Sequence, residues 1–517
     1  MSLVGNNVLL VRVDSGINLG SGHVMRCLAL AQAWQDGVGD VVFVLATESP
    51  NAEAKLTAEG FEALHINAKP GSAEDARLTM KLAHKYGASW VVVDGYHFGG
   101  DYQKIIKEAG LNLLFIDDYG HADYYPADIV LNQNIHADEN LYRNRASYTR
   151  LLLGTRYVLL RREFLRWQGY RREIPEIARK MLVTMGGSDP QNVTLKVLQA
   201  LKNIDIDGFE AVCVVGGSNP HYDALKDFVE TANLPVRIER DVKDMSQLMA
   251  WADVAITAGG TTCWELAFMG VPFVIVVLAE NQQPVADSLD NIGCALNLEW
   301  PCNLPSFRVS ESLMRLMRGQ RWRAEMSQCG QGMVDGKGVF RVLSSAGFKA
   351  LNLRPAYKED CRLLWEWAND AVVRNYSFNS DPIPWEEHVK WFNERLNDPN
   401  CLIFIAEDAD GTPVGQIRFE VTGERAEVSV SVDKSKRNLG YGTLLIEQGV
   451  KEVFRSMIIK SVHAFIKPDN IGSIRSFERS GFRYVGLYSI KGYNAEHYVL
   501  VRKKGFSKSH CFGYKTE

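Results

Sequence analysis

Paired cysteines are missing from this chain. Its nine cysteines stand singly, with no C-x-x-C pair and no Cys/His cluster. That scatter argues against a structural zinc site. It predicts reduced core cysteines of a cytoplasmic protein, with Cys27, Cys213, Cys263 and Cys294 in apolar surroundings. Long apolar runs are missing too. A run such as Val271 to Ala279 falls far short of the ~20 residues a membrane helix needs, so no membrane partner is expected. The opening MSLVGNNVLLVRVDSG reads as a buried strand and lacks a charged segment followed by an apolar one, so no secretion signal is expected. Charge of one sign is not in excess. A formal net charge of -4 gives no basic field for nucleic acid. No low-complexity tract or solenoid repeat occurs, and no ligand cluster calls for a metal. What remains is an ordinary globular composition: 46% hydrophobic and 23% charged residues over 517 positions, enough for three or four domains at about 150 residues each.

Residues 8–158 alternate short apolar strands (VLLVRV, DVVFVLA, SWVVVD, NLLFIDD) with longer amphipathic segments. That pattern predicts βα units and a parallel, doubly wound sheet, whose ligands bind at the carboxyl ends of the strands. A basic stretch from Arg161-Arg162 through Arg171-Arg172 to Lys180 follows without strand character and reads as a solvated crossing segment. Residues 180–345 repeat the βα style. After about residue 350 the style changes to α+β: the helices YKEDCRLLWEWANDA and PWEEHVKWFNERL, then the strands LIFIAED, PVGQIRFEV and AEVSVSVD, with the hairpin signal DADG. The expected domains are 1–158, 159–345 and 346–503, followed by a polar tail, 504–517.

Three loops carry candidate chemistry. The first strand ends in RVD, then SGINLGSGH opens a helix. Glycines there let backbone approach a ligand closely, and a helix start presents unpaired N–H groups to it. His23 falls in the first helical turn, where the positive end of the helix favours a neutral imidazole able to take a proton from water. The second loop, AITAGGTTCWE, is a strand, a glycine pair and a helix start. Thr261 and Thr262 are N-cap candidates. Glu265 has two readings: a carboxylate stabilising the helix start, or an acceptor for a ribose diol. The following strand ends in Glu280-Asn281-Gln282-Gln283. A further glycine turn, Gly186-Gly187-Ser188-Asp189, is either a phosphate contact or a plain helix cap. The third loop lies in SVSVDKSKRNLGYGTLL, a strand, an R-x-x-G-x-G turn and a helix. Successive N–H groups in such a turn can cradle a pyrophosphate.

The GSGH turn, with GGSD, GGTTCWE and ENQQ, resembles the GT-B fold nucleotide-sugar enzymes. RVDSGINLGSGHVMRCLALA and LAENQ resemble the UDP-2,4-diacetamido-2,4,6-trideoxy-β-L-altropyranose hydrolases of pseudaminic acid biosynthesis, over roughly 8–345. The resemblance implies release of UDP from the anomeric carbon with inversion. It makes His23 the base that activates water and Asn281, with Gln282, part of the sugar or diphosphate site. It places Glu265 on the uridine ribose, and Gly259, Gly260, Thr261 and Thr262 on the diphosphate. Arg12, Asp14, Asn18 and Gly22 become candidates near the sugar. Asp94, Tyr96, Asp117 and Asp118, also at strand ends, suit turn formation as well as sugar contact.

The RNLGYG turn, with KPDNIGSIRSFERSGF about thirty residues on, resembles the GNAT acetyltransferases over roughly 351–502, and among them the UDP-4-amino-4,6-dideoxy-N-acetyl-β-L-altrosamine N-acetyltransferases. That implies acetyl-CoA, with pantetheine beside Val430 and Val432. Its pyrophosphate would lie at Arg437, Asn438, Gly440, Tyr441 and Gly442, with Asn470 and Ser473 nearby. One position departs from the family pattern: Phe477 stands where many members place a tyrosine acid, leaving Ser476, Tyr484 or water for that role. Trp385, His388, Trp391 and Tyr376 suit either an acceptor site or helix packing. The two halves together imply consecutive N-acetylation and hydrolysis of one UDP-sugar. The alternatives are the same pair of steps for a legionaminic-type acid, a GT-B glycosyltransferase fused to a GNAT domain, and a UDP-sugar-binding module without catalysis.

Overall fold

The structure is a computed structural model that describes residues 7–16, 20–240, 242 and 244–502; Asn18 and the 504–517 tail lie outside the described residues. Two compact units divide the chain, one built mainly on residues 39–342 and the other mainly on residues from 343 on.

The first unit holds two parallel sheets. Strands β1 (Asn7–Val13), β2 (Gly39–Leu45), β3 (Glu62–His65), β4 (Ala88–Asp94), β5 (Asn112–Ile116), β6 (Ile129–Asn132) and β7 (Arg150–Leu153) form a seven-stranded sheet in the order β3-β2-β1-β4-β5-β6-β7. Strands β8 (Lys180–Thr184), β9 (Glu210–Val215), β10 (Val236–Arg240), β11 (Val254–Ala258), β12 (Phe273–Val276) and β13 (Ala295–Asn297) form a six-stranded sheet in the order β10-β9-β8-β11-β12-β13. Every pairing is parallel. The central strands are buried on both faces, which is why they read as unbroken apolar runs rather than alternating ones. The strand order reverses between β1 and β4 and again between β8 and β11. Crevices open at such reversals. The glycine loops after β1, β8 and β11 are therefore brought to the places where ligands bind.

The basic crossing stretch is a solvated face only in part: Arg166, Arg171 and Arg179 are exposed, but other arginines turn inward, contrary to the expectation. Arg161 is buried and paired with Glu265 at 2.8 Å and Glu163 at 3.3 Å. Arg172 caps the carbonyls of Met249, Ala252 and Met269. Leu160 and Phe164 join the core of the second sheet beside Trp264 and Phe268. Guanidinium groups take these positions because each can satisfy several acceptors from one planar fork. The cysteine expectation is corrected as well. Cys294 and Cys329 form a disulfide, their Cα atoms 5.3 Å apart. They are separated by 35 residues, and only the tertiary packing of the Gln320–Met333 helix, which carries Cys329, brings them within bridging reach. Cys27, Cys213, Cys263, Cys302, Cys361 and Cys401 are free.

The second unit is α+β. Strands β14 (Asn352–Pro355), β15 (Cys401–Glu407), β16 (Pro413–Thr422), β17 (Arg425–Val432), β18 (Ser461–Ile466), β19 (Arg483–Ile490) and β20 (Tyr493–Val501) form one sheet in the order β14-β15-β16-β17-β18-β20-β19. All neighbours are antiparallel except β17 and β18, which pair in parallel through Arg425–Glu427 and then part. The parting leaves a wedge between Val428–Val432 and the rest of β18. The helix Tyr441–Ser456 packs Leu445, Ile446, Val450, Val453 and Phe454 on one face of this sheet. Helices Cys361–Ala368 and Trp385–Leu396 cover β15 on the other.

Candidate active sites

His23 lies in the first turn of the Gly22–Gly37 helix, 7% exposed. Its Nδ1 is 2.7 Å from Asp94 Oδ1 at the end of β4, the strand hydrogen-bonded beside β1. Arg26, one turn on, donates to both oxygens of Asp94, each at 2.6 Å, and to Asp118 Oδ1 at 2.7 Å. Arg26 also approaches His23 Nδ1, at 3.0 Å. We assign the proton to Nδ1, because a bare lone pair facing a carboxylate oxygen at that distance would be repelled. Nε2 is then left with its lone pair. Burial alone would push Asp94 and Asp118 up, but Arg26 and His23 outweigh it and hold both carboxyls below their ordinary range.

From this dyad a chain of hydrogen bonds crosses to the second sheet. Tyr96 sets its ring edge-on to His23 at 4.7 Å and donates to Asp118 Oδ2 at 2.7 Å. Asn281 donates from Nδ2 to the Tyr96 hydroxyl at 2.8 Å. His23, Tyr96 and Asn281 thus converge from loops after β1, β4 and β12. The glycine loops meet at the same place. A Cβ on Gly187 would stand 2.6 Å from Ser21 Oγ, and one on Gly22 would stand 3.7 Å from Thr261 Oγ1.

The other expected residues divide. Thr261 occupies the N-cap of the Thr262–Phe268 helix, yet its side chain makes no capping bond and its hydroxyl faces Gly22. Gly260 has open space where a Cβ would be. Gln282 is drawn inward: its Oε1 accepts from Gly259 N at 3.2 Å and Leu278 N at 2.9 Å, so it holds the loop in place. Glu265 is ion-paired to Arg161. Arg12 is fully buried and engaged by Asp75 through two bonds at 2.9 and 2.8 Å, which removes it from the crevice lining. Asp14 pairs with Arg12 at 2.7 Å and with the partly exposed His97 at 3.1 Å, and accepts from Ala46 N at 2.8 Å. Asp189 caps the Val193–Leu201 helix through the N–H groups of Val193 and Thr194, each at 2.8 Å, so the GGSD aspartate is structural. Sequence offers Asp94 and Asp118 only as strand-end residues suited to turn formation or sugar contact, and it does not single out Arg26. Their signal is topological, since only the strand reversal between β1 and β4 sets Asp94 against His23.

In the second unit the loop after β17 has Asn438 at φ 60° and Gly440 at φ 86°, and Gly440 is the N-cap from which the chain turns into the Tyr441–Ser456 helix. Lys349 and Lys436 flank the Tyr441 ring at 5.5 and 6.0 Å. Val430 and Val432 pack at the rim of the core beside the wedge. A Cβ on Gly442 would stand 3.5 Å from Ser476 Oγ. Arg437 is engaged, by Asp370 at 2.8 Å and the Val432 carbonyl at 3.0 Å, so it fixes the loop. Asn470 caps the Ile471–Arg479 helix by accepting from Ser473 N at 3.2 Å. Phe477 is core, edge-on to Phe482 at 5.0 Å. His388 is buried, stacks on Phe392 and lies within hydrogen-bond distance of the Cys361 carbonyl. Among the described residues no group of three or more His, Cys, Asp and Glu is placed to hold a metal, and no helix is long and apolar enough to cross a membrane.

Two parallel sheets with facing glycine loops, followed by a wedge-split α+β sheet, define the class: a GT-B pair of Rossmann-like domains joined to a GNAT domain. Residues 181–338 match the glycosyltransferase family 28 C-terminal domain, and residues 350–483 match the acetyltransferase (GNAT) domain. Among individual proteins, an uncharacterised protein of Methanocaldococcus jannaschii is 24% identical over 493 residues, 91% of this chain and 95% of its own length. The spore coat polysaccharide biosynthesis protein SpsG of Bacillus subtilis is 27% identical over 64% of this chain and 94% of its own. UDP-2,4-diacetamido-2,4,6-trideoxy-beta-L-altropyranose hydrolase of Campylobacter jejuni is 25% identical over 55% of this chain and 97% of its own.

Proposed function

We propose that the chain is a bifunctional enzyme that N-acetylates a 4-amino UDP-sugar and hydrolyses the product to free sugar and UDP. Its substrate is UDP-4-amino-4,6-dideoxy-2-acetamido-β-L-altropyranose, and its final product is the 2,4-diacetamido-2,4,6-trideoxy sugar. Hydrolysis belongs to domains 1–158 and 159–345, acetylation to 346–503. The observation that carries the hydrolase half is the Asp94–His23 dyad, linked through Tyr96 to Asn281 of the facing domain. Asp94 accepts from Nδ1 and orients the ring. Nε2 takes a proton from a water held near Tyr96 and Asn281. The oxygen–carbon bond forms at the anomeric centre as the bond to the diphosphate breaks on the opposite side. Backbone N–H groups of Gly187, Gly260 and Thr261 stabilise the departing charge, with Glu265, steadied by Arg161, at the ribose.

In the acetyltransferase half the wedge and the turn fit acetyl-CoA. The left-handed turn at Gly440 leads into a helix start of the kind that cradles phosphates, and Lys349 lies beside the Tyr441 ring there, while Lys436 is paired with Asp408 at 2.8 Å. Asn438, Gly440, Tyr441 and Gly442 would hold the pyrophosphate, and Val430 and Val432 the pantetheine. When bound, acetyl-CoA supplies an activated acetyl thioester. The similarity to the archaeal relative runs through both halves, which supports joint function. Incubating the pure protein with UDP-2,4-diacetamido-2,4,6-trideoxy-β-L-altropyranose tests the hydrolase half: UDP and the free sugar are expected. Absence of UDP release would refute it.

A further inference from the structure

The strand β18 alternates. Val462, Ala464 and Ile466 face the Tyr441–Ser456 helix, so Ser461, His463 and Phe465 lie on the opposite face. On that face runs a line of polar side chains. Ser461 Oγ is 2.8 Å from His463 Nε2, and His463 Nδ1 is 2.9 Å from His497 Nε2 on β20. His497 is 7% exposed, stacked on Phe465 at 4.5 Å and met edge-on by Tyr488 at 4.8 Å. Its Nδ1 is buried and has no hydrogen-bond partner among the described residues. A buried ring nitrogen without a partner is unfavourable, so its retention needs a reason.

The position supplies one. Strand β17 pairs with β18 only as far as Glu427 opposite His463, and β20 sets His497 opposite Phe465, two residues further along. Along the strands His497 is therefore level with the start of the wedge, one strand away from it across β18, while Ser461 lies at the beginning of β18. The charged and titratable neighbours are Arg425 and Glu427 of β17 and Tyr488 of β19. Burial pushes both imidazoles below their ordinary value; Arg425 adds to this for both and His497 does so for His463. Both rings are thus neutral at neutral pH, and one shared proton joins them.

We propose that His497 is the general base of acetyl transfer, receiving the acceptor's proton at Nδ1, and that His463 and Ser461 relay a proton outward. This rests on the acetyltransferase reading of residues 346–503. The relay requires the tautomers in which His497 Nε2–H donates to His463 Nδ1 and His463 Nε2–H donates to Ser461 Oγ, an arrangement the two contact distances accommodate. The acceptor ammonium gives one proton to Nδ1. The freed lone pair forms the N–C bond as the C–S bond breaks, and the second nitrogen proton goes to the leaving thiolate. One proton per turnover leaves through His463 and Ser461 to water.

The test uses the full chain, the 4-amino UDP-sugar and acetyl-CoA, with CoA release followed from pH 6 to 10. His497→Asn should lower kcat/KM for the sugar about 10²-fold at pH 7. The deficit should shrink as pH rises and the amine deprotonates unaided. CoA affinity and UDP release from the diacetamido sugar should stay unchanged. In the ligand-free protein, imidazole nitrogen NMR should show His463 and His497 titrating as a coupled pair, and His463→Gln should shift the His497 curve. An unchanged profile in His497→Asn, an equal loss at every pH, or independent titration of the two rings overturns the relay. No CoA release by the unaltered protein overturns the acetyltransferase reading, and the relay with it.

Discussion

At the scale of single residues, the proposed hydrolysis centres on His23 and the carboxylates around Arg26. Removing the base in His23→Ala should cut UDP release by about 10²–10⁴-fold while UDP affinity measured calorimetrically stays within about twofold. An unchanged rate would remove His23 as the base. Asp94→Asn should also lose rate, and its melting temperature should fall, because Arg26 stays buried with one carboxylate fewer. Asp94 and Asp118 give stability a definite pH dependence as well. Their folded pKa values lie below the unfolded value of about 3.9, so their contribution is present above that pH and is lost as pH falls through the folded values. The urea midpoint should change little on account of these groups between pH 7 and 5 and then decline below pH 4. A midpoint that climbs with acid would contradict the network. As a candidate, His23 is legible in the sequence because a histidine after a glycine turn announces itself. Asp94 is not, because an aspartate closing a strand looks the same whether it caps a turn or orients a base. Arg12 and Gln282 mislead for a related reason: residue type shows what a side chain can bind, and only packing shows that Asp75 and two backbone N–H groups already engage them.

At the scale of elements, the loops matter through how closely they approach. Gly187 touches Ser21, and any Cβ there would push the two glycine loops apart. Gly187→Ala should raise KM for the UDP-sugar several-fold with a much smaller change in kcat for the acetyl transfer, read from parallel UDP and CoA assays. Gly440 stands in the left-handed region, where an L side chain costs about 1–2 kcal/mol. Gly440→Ala should weaken CoA binding about tenfold by calorimetry and leave UDP release alone. The strands and helices themselves are readable, since runs such as SWVVVD and the Val193–Leu201 helix fall where the apolar pattern puts them. The basic segment around Arg161 is not. Arg161 and Arg172 are drawn inward by partners 77 to 104 residues away, beyond the reach of any local pattern.

At the scale of the whole molecule, one chain joins two chemistries. Its domains differ in their sequence texture: continuous apolar strands for the parallel sheets, alternating ones for the mixed sheet. That difference makes the fold class legible in the residue pattern itself. The Cys294–Cys329 pairing is hidden from it because the bridge depends on tertiary packing alone. The most direct test is a product assay by mass spectrometry and NMR on the pure chain. It is supplied with UDP-4-amino-4,6-dideoxy-2-acetamido-β-L-altropyranose and acetyl-CoA. A bifunctional enzyme should yield CoA, UDP and the free 2,4-diacetamido-2,4,6-trideoxy sugar in equal amounts, with acetylation preceding UDP release. Transfer of the sugar to a polysaccharide or lipid acceptor, or acetylated UDP-sugar accumulating with no UDP, would contradict it.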